Sequence, residues 1–231
     1  MVQSAHQPDR DSPLRSSYPP PPHSEPLWPA LATVLVAIAL QLLLPTRLTA
    51  GPTWLLPALE AVLLVGLAFA SPREVEHDHR GRRLAAVGLT AVVSAANIIS
   101  LALLTHELLH HGSPNGRELI ISGALIWLTN VLIFGLWYWQ TDRGGAGRRA
   151  AGEDGPPDFL FPQMSDDRPW SVDWRPQFAD YLYVALTNAL ALSPTDTMPL
   201  TRTAKSIMGI QSLVSLVTIG LVVARAVNIL Q

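Results

Sequence analysis

FADYLYVALTNALALSPTDTMPLTRTAKSIMGIQSLVSLVTIGLVVARAVNI, residues Phe178 to Ile229, is the stretch that decides the fold. It has three parts: a short apolar helix, a polar turn SPTDTMPLT, and a long apolar helix. Phe178–Leu192 extends about 22 Å as a helix, short of the roughly 30 Å hydrocarbon core of a bilayer. It reads as a tilted short span or as a re-entrant half-helix. Backbone that re-enters is tolerated only where it is buried in protein or lines a watery cavity. Asp180, Tyr183, Thr187 and the adjacent Asn188 put a polar stripe on one side of it. The final helix, Thr203–Ile229, is about 40 Å long and crosses with tilt. Gly209, Ser212 and Gly220 offer small residues for close packing along it.

Working back from this hairpin, the apolar residues come in blocks too long for a soluble core. The chain has 231 residues, 48% hydrophobic and 15% charged, against about 25% charged in a typical soluble domain. Four further spans are expected: Leu27–Leu44, Trp54–Ala70, Leu84–Leu104 with helix continuing to His110, and Leu119–Trp139. The fold class is therefore an all-α integral membrane protein with six hydrophobic helices, the fifth short, and no soluble domain. Residues 1–26 are polar and Pro-rich and read as a disordered tail. Residues 27–140 form a four-helix transmembrane region, 141–177 a polar loop, and 178–231 the hairpin. Ala85, Gly88, Ala91 and Ala95 share a face that would let helices approach closely. Trp137, Tyr138 and Trp139 read as an interfacial anchor, and Phe159, Leu160, Phe161, Trp170 and Trp174 as interface-seeking residues in the loop.

Basic residues in short loops set orientation. Arg73, Arg80, Arg82 and Arg83 precede the third span, and Arg143, Arg148 and Arg149 follow the fourth; the alternate loops hold Arg47 and Arg117. This places the N-terminus, the 71–83 loop and the 141–177 loop in the cytoplasm. A net charge of −2 gives no basic surface for nucleic acid. Absence of cysteine removes disulfides, thiolate metal sites and a cysteine nucleophile.

Three kinds of polar group lie within or beside the spans. Glu60 falls inside the second, where an ionisable residue is a functional candidate by default, here a proton or cation site. Asn97, Asn130 and Asn188 fall near mid-span, where interhelical hydrogen bonds hold helices together. His106-Glu107-Leu108-Leu109-His110 spells H-E-x-x-H, in which His106 and His110 would bind zinc from one helix face and Glu107 would activate a water. A catalytic zinc needs a third protein ligand, and neither Glu118 nor His111 has the extended spacing. A polar helix end is the alternative reading.

The run YLYVALTNALALSPTDTMPLT resembles the pore helix and filter region of two-helix potassium channels, with Asp196, Pro199 and Thr201 matching the family's Asp-x-x-Pro-x-Thr. The filter positions fall on Ala191, Leu192, Ser193, Pro194 and Thr195, so both filter glycines are absent. Those glycines let carbonyls replace the ion's water shell, and potassium selectivity is not inherited without them. The stretches LTNVLIFGLWYWQTDRGG, PDFLFPQM, FADYLYVALTNALALSPTDTMPLT and ARAVNIL are together similar to a set of actinobacterial multi-pass membrane proteins of unassigned function. That resemblance implies a bacterial plasma membrane and supplies no activity.

Three functions follow. The first is channel- or transporter-like passage of a small solute or ion, contacted by Asp196, Thr195, Thr187, Asn188 and Glu60, with no cofactor and with several copies around a pore. The second is a non-catalytic scaffold or accessory subunit, in which SPTDTMPLT is a corner capped by Asp196 and Thr197. The third is a membrane zinc hydrolase on HELLH. The first two are not enzymes, and the bilayer is the partner common to all three.

Overall fold

The computed structural model describes residues 26, 28–49, 52, 54, 57–62, 79–110, 116–150, 155–165, 174–191 and 196–229. The Pro-rich tail at 1–25, most of the second expected span, the arginine-bearing loop at 71–78, the turn at 111–115, Trp170 and the filter-equivalent residues 192–195 lie outside the described residues.

The described chain is mostly helical. Its helices are α1 (Trp28–Leu42), α2 (His79–His110), α3 (Gly116–Thr141), α4 (Ala146–Ala150), α5 (Phe178–Ala191) and α6 (Arg202–Ile229). Three segments are long and apolar enough to cross a membrane: Arg83–Leu108, Gly116–Gly144 and Arg202–Val227. α1 is shorter, and residues 57–62 are helical within the second expected span. The boundaries of α1, α2, α3 and α6 lie close to those read from the apolar runs.

Helix α3 is the axis of the molecule. It packs against α1, α2, α5 and α6 and buries residues all round, among them Leu119, Ile126, Val131, Ile133, Leu136 and Tyr138, as expected for a helix apolar on every face. Two glycines on it admit close neighbours. A Cβ at Gly123 would collide with Val222 of α6, and one at Gly135 would lie 3.2 Å from the Leu182 Cα of α5.

Polar and apolar residues are distributed as lipid demands rather than as water does. On α6, Gln211, Ser215 and Thr218 are buried while Ile210, Leu213, Leu216, Val223 and Val227 are exposed. On α2, Thr90, Asn97 and Ser100 are buried while Leu84, Ile98 and Ile99 are exposed. In a bilayer the outward face gains nothing by being polar, and inward polar groups join helices. Thr33, Thr90, Ser94, Thr105 and Thr218 donate to the carbonyl four residues back, which satisfies each hydroxyl within its own helix. With three spanning-length helices, this pattern makes the chain an integral membrane protein.

Direction follows from contacts along α3. Arg47, just past α1, pairs at 2.8 Å with Glu118 in the first turn of α3. Trp137 Nε1 and Gln140 Nε2, near the end of α3, donate to Ser94 and Thr90 in the first half of α2. Tyr138 bonds Gln211 and Asn130 bonds Ser215, so α6 runs back along α3 from its end. Hence α1, α2 and α6 are all antiparallel to α3.

Several expectations about faces are corrected. Ala85, Gly88, Ala91 and Ala95 are all exposed, as are Gly209 and Gly220, so among the described residues these small residues do not form a close helix–helix seam. Tyr138 and Trp139 are buried in the main core, and Trp137 is half-buried against it. Phe159 and Phe161 join that core too, so the 141–177 segment is more than a polar loop at the interface.

Candidate functional site

The expected site residues do not form one constellation. Asn188 is buried and lies between α5, α3 and α6: its Nδ2 donates to Gln211 Oε1 at 2.8 Å, to the Met208 carbonyl at 3.1 Å and, at 3.4 Å, to the Tyr138 hydroxyl. Ser212 donates to Asn188 Oδ1 at 3.1 Å, Tyr138 donates to Gln211 Oε1, and Gln211 Nε2 donates to the Ala185 carbonyl at 2.8 Å. Asn188 thus holds three helices together, the structural role open to a mid-span Asn. Asn130 does likewise, donating to Ser215 at 3.0 Å. Thr187 is half-buried and spends its hydroxyl on the Tyr183 and Val184 carbonyls of its own helix. Tyr183 is exposed while Asn188 is buried, so the expected polar stripe is split between two faces. Asp196 is exposed, and Thr195 lies outside the described residues. Glu60 is buried near the last turn of α1, at the end of the bundle opposite the turn that carries Asp196.

What the structure assembles instead is a buried polar clamp where α3 ends. Asp142 has no exposed surface. Its Oδ1 accepts from the backbone N–H of Asp158 at 2.7 Å and of Phe159 at 3.3 Å, and its Oδ2 accepts from the Tyr181 hydroxyl of α5 at 2.6 Å. Two cations border it. Arg143 Nε is 3.8 Å from Oδ2. Arg149 of α4, 5% exposed, donates to the carbonyls of Asp142 at 2.7 Å and Trp139 at 3.0 Å. Its guanidinium also lies over the Trp139 and Tyr181 rings, 5.9 and 5.6 Å from their centroids. Buried charge is tolerated where it is paired and hydrogen-bonded in this way.

A tight turn makes the clamp possible. Arg143, Gly144 and Gly145 have φ of 53°, 83° and 97°, a left-handed run that folds α4 back under α3. Glycine is needed at the last position, where a Cβ would sit 2.9 Å from the Gln140 carbonyl oxygen.

From the clamp the chain reaches the hairpin. Strand β1 (Phe159–Leu160) pairs antiparallel with β2 (Met198–Pro199), in the turn between α5 and α6. Asp158 ties this joint on three sides: its carbonyl accepts from Leu200 N at 2.8 Å, Oδ1 accepts from the Thr201 hydroxyl at 2.5 Å, and Oδ2 accepts from Arg143 N at 3.2 Å. Thr201 Oγ1 in turn accepts from Ala204 N at 3.2 Å and caps α6. The cap is therefore Thr201, not Asp196 or Thr197. Phe159 and Phe161 drive inward against Tyr138, Tyr181 and Trp174, at centroid separations of 5.1 to 6.3 Å.

The consequence is topological. The chain arrives at α5 from the end where α3 stops, because Trp139 stacks edge-on to Phe178 at 5.8 Å and Tyr181 bonds Asp142. It starts α6 at that same end, because β2 is paired to β1. α5 begins with Asp180 accepting from the Gln177 N–H at 2.7 Å, a local cap that starts the helix without a long lead-in.

The HELLH residues sit at the last turns of α2, at the opposite end of the bundle. His106 is exposed, Glu107 is half-buried, and the His110 side chain lies outside the described residues. Among the described residues no group of three His, Cys, Asp or Glu side chains could hold a metal ion.

Comparison with family models, with curated proteins and with solved structures returned no match.

Proposed function

We propose that the chain is a multi-pass protein of a bacterial plasma membrane that passes a small solute or ion, with Phe178–Ile229 as a re-entrant hairpin. One observation carries this reading: the β1–β2 pairing returns the chain to the end of the bundle from which α5 departs. α5 has 14 residues, about 21 Å of helix. A helix that short, cradled on α3 and α6 and returning to its own side, is the arrangement in which membrane proteins bring polar backbone to a solute. With the loop arginines setting the cytoplasmic side, the hairpin opens to the cytoplasm. α1, the Trp54–Ala70 segment, α2, α3 and α6 then make five crossings, from a cytoplasmic N-terminus to an external C-terminus.

The absence of cysteine makes the test direct. Single cysteines at the exposed positions Ser165, Met198 and Arg117 are treated with an impermeant maleimide in right-side-out and inverted vesicles. Ser165→Cys and Met198→Cys should label from one side and Arg117→Cys from the other. Labelling of Met198→Cys from the Arg117 side would mean that α5 crosses. Passage itself is read as protein-dependent solute flux into salt-gradient liposomes.

A second reading, a non-catalytic scaffold or accessory subunit, is favoured by the saturation of the interior network. Asn188, Gln211, Ser212 and Tyr138 satisfy one another. Liposomes whose flux does not rise with added protein would support this reading and remove the first.

A further inference from the structure

The Glu60 carboxyl is absorbed by neither the clamp nor the hairpin. In the helical residues 57–62, Pro57 and Glu60 are buried while Ala58, Leu59 and Val62 are exposed. The acid thus faces the protein and its apolar neighbours face outward. Glu60 has no exposed surface, and among the described residues neither carboxyl oxygen has a hydrogen-bond partner. Gln41, in the last turn of α1, is 8% exposed, and its Nε2 also lacks a partner. The two side chains are close enough to interact but are not in standard hydrogen-bond geometry.

Two orphaned polar groups facing each other inside a bundle require a physical account. A buried carboxylate left alone is among the costliest arrangements a protein can hold, and such groups are paired, coordinate a cation, or are neutralised by a proton. Among the described residues, the other charged side chains at this end are engaged elsewhere or lie at or toward the surface. Arg47 and Glu118 pair with each other at 2.8 Å and are 35% and 34% exposed. Arg117 and His106 are exposed, Glu107 is half-buried, and Arg225 near the end of α6 is half-buried and engaged in an interaction of its own. None of them supplies the missing charge inside.

We propose that Glu60, with the Gln41 amide beside it, binds a small cation within the bundle, a proton or a monovalent metal ion. The site lies at the other end of the bundle from the hairpin's turn and does not rest on the passage reading, because occupancy is measured on the protein whether or not anything is transported.

A hydrophobic carbodiimide tests it on the unmodified protein. The reagent reaches acids in apolar surroundings, takes the proton of a protonated carboxyl and is attacked by its oxygen, and the O-acylisourea formed rearranges to a stable N-acylurea that mass spectrometry assigns to a peptide. Purified protein in detergent is treated in choline chloride from about pH 5 to 9, with parallel samples in sodium, lithium and potassium chloride. The expected result is a Glu60 adduct in excess over the more accessible Glu107 and Glu118. If the bound cation is a metal ion, one of the three salts suppresses the adduct severalfold at fixed pH. If it is a proton, the adduct falls severalfold with rising pH and ignores the salts. Gln41→Leu should weaken the suppression by salt, or shift the pH at which the adduct falls, while leaving the reactive acid in place. No adduct at Glu60 under any condition overturns the proposal, as does an adduct indifferent to both pH and salt.

Discussion

Replacing Tyr181 by Phe removes a single oxygen atom and tests whether the clamp holds the hairpin in place. The hydroxyl donates to Asp142 Oδ2 at 2.6 Å, and both residues are wholly buried. The ring contacts to Phe159 and Phe161, at 6.3 and 5.5 Å, and the overlying Arg149 guanidinium are preserved in the variant. The loss is therefore that of one hydrogen bond to a charged acceptor, about 1.5–3 kcal/mol. Asp142→Asn keeps the shape but removes the charge bordered by Arg143 and Arg149, and should cost about 3–5 kcal/mol, the range for breaking a buried pair. Because both changes dismantle the same bond, the double variant should fall short of their sum by roughly 0.5–3 kcal/mol. The assay is unfolding by SDS in mixed micelles, followed by tryptophan fluorescence. Trp139 and Trp174 are the reporters, since each contacts an aromatic ring of this cluster. If Tyr181→Phe unfolds within about 0.5 kcal/mol of the parent, a change typical of an inert surface substitution, the bond does not anchor α5 and the reasoning fails.

Two other perturbations probe how α5 and α6 are held. Gly135→Leu forces a side chain into the 3.2 Å approach of Leu182 and should destabilise by about 1–3 kcal/mol, the usual cost of overpacking, whereas Gly88→Leu, which meets open space, should be neutral in the same unfolding assay. Asn188→Leu strips Gln211 and Ser212 of a partner and should cost about 0.6–2 kcal/mol for each interhelical bond lost, with Thr187→Val, whose hydroxyl serves only its own helix, costing less.

The three long helices were legible because each is written in a single continuous code: an apolar run of bilayer length between breakers. Asn130 and Asn188 were legible as interhelical ties for a related reason, since a lone amide in such a run has no solvent to turn to. The clamp was not. Asp142 and Asp158 look like ordinary loop acids, and their partners lie as far along the chain as Tyr181 and Thr201. A two-residue strand such as Phe159–Leu160 is too short to register as alternation. The signals present were faint ones. Gly144-Gly145 directly after a span announces a left-handed turn, and Phe159-Leu160-Phe161 alternates with both phenylalanines buried. Trp137-Tyr138-Trp139 was misread as an interfacial belt because the aromatics that suit the headgroup region also fill cores. Tyr138 is buried in the main core with its hydroxyl satisfied by Gln211, a polar residue one helix away that local sequence does not reveal.

The geometry also constrains how passage would have to work. Inside the chain, the space between α3, α5 and α6 is filled by the Asn188–Gln211–Tyr138 network and by Val184, Ala185 and Ala189, all buried. A solute cannot run through it without breaking bonds that hold the hairpin together. On the passage reading the route therefore lies on the other side of α5, along the face that carries Tyr183, Leu186 and Leu190 at 53, 38 and 61% exposure, with the half-buried Thr187 among them and Asp196 exposed at the turn. One chain supplies only one wall of such a route. The proposal thus commits to an assembly of several copies whose α5 helices face one another, with Asp196 from each copy at the turn. A protein that passes solute as a strict monomer would contradict it as directly as one that passes none.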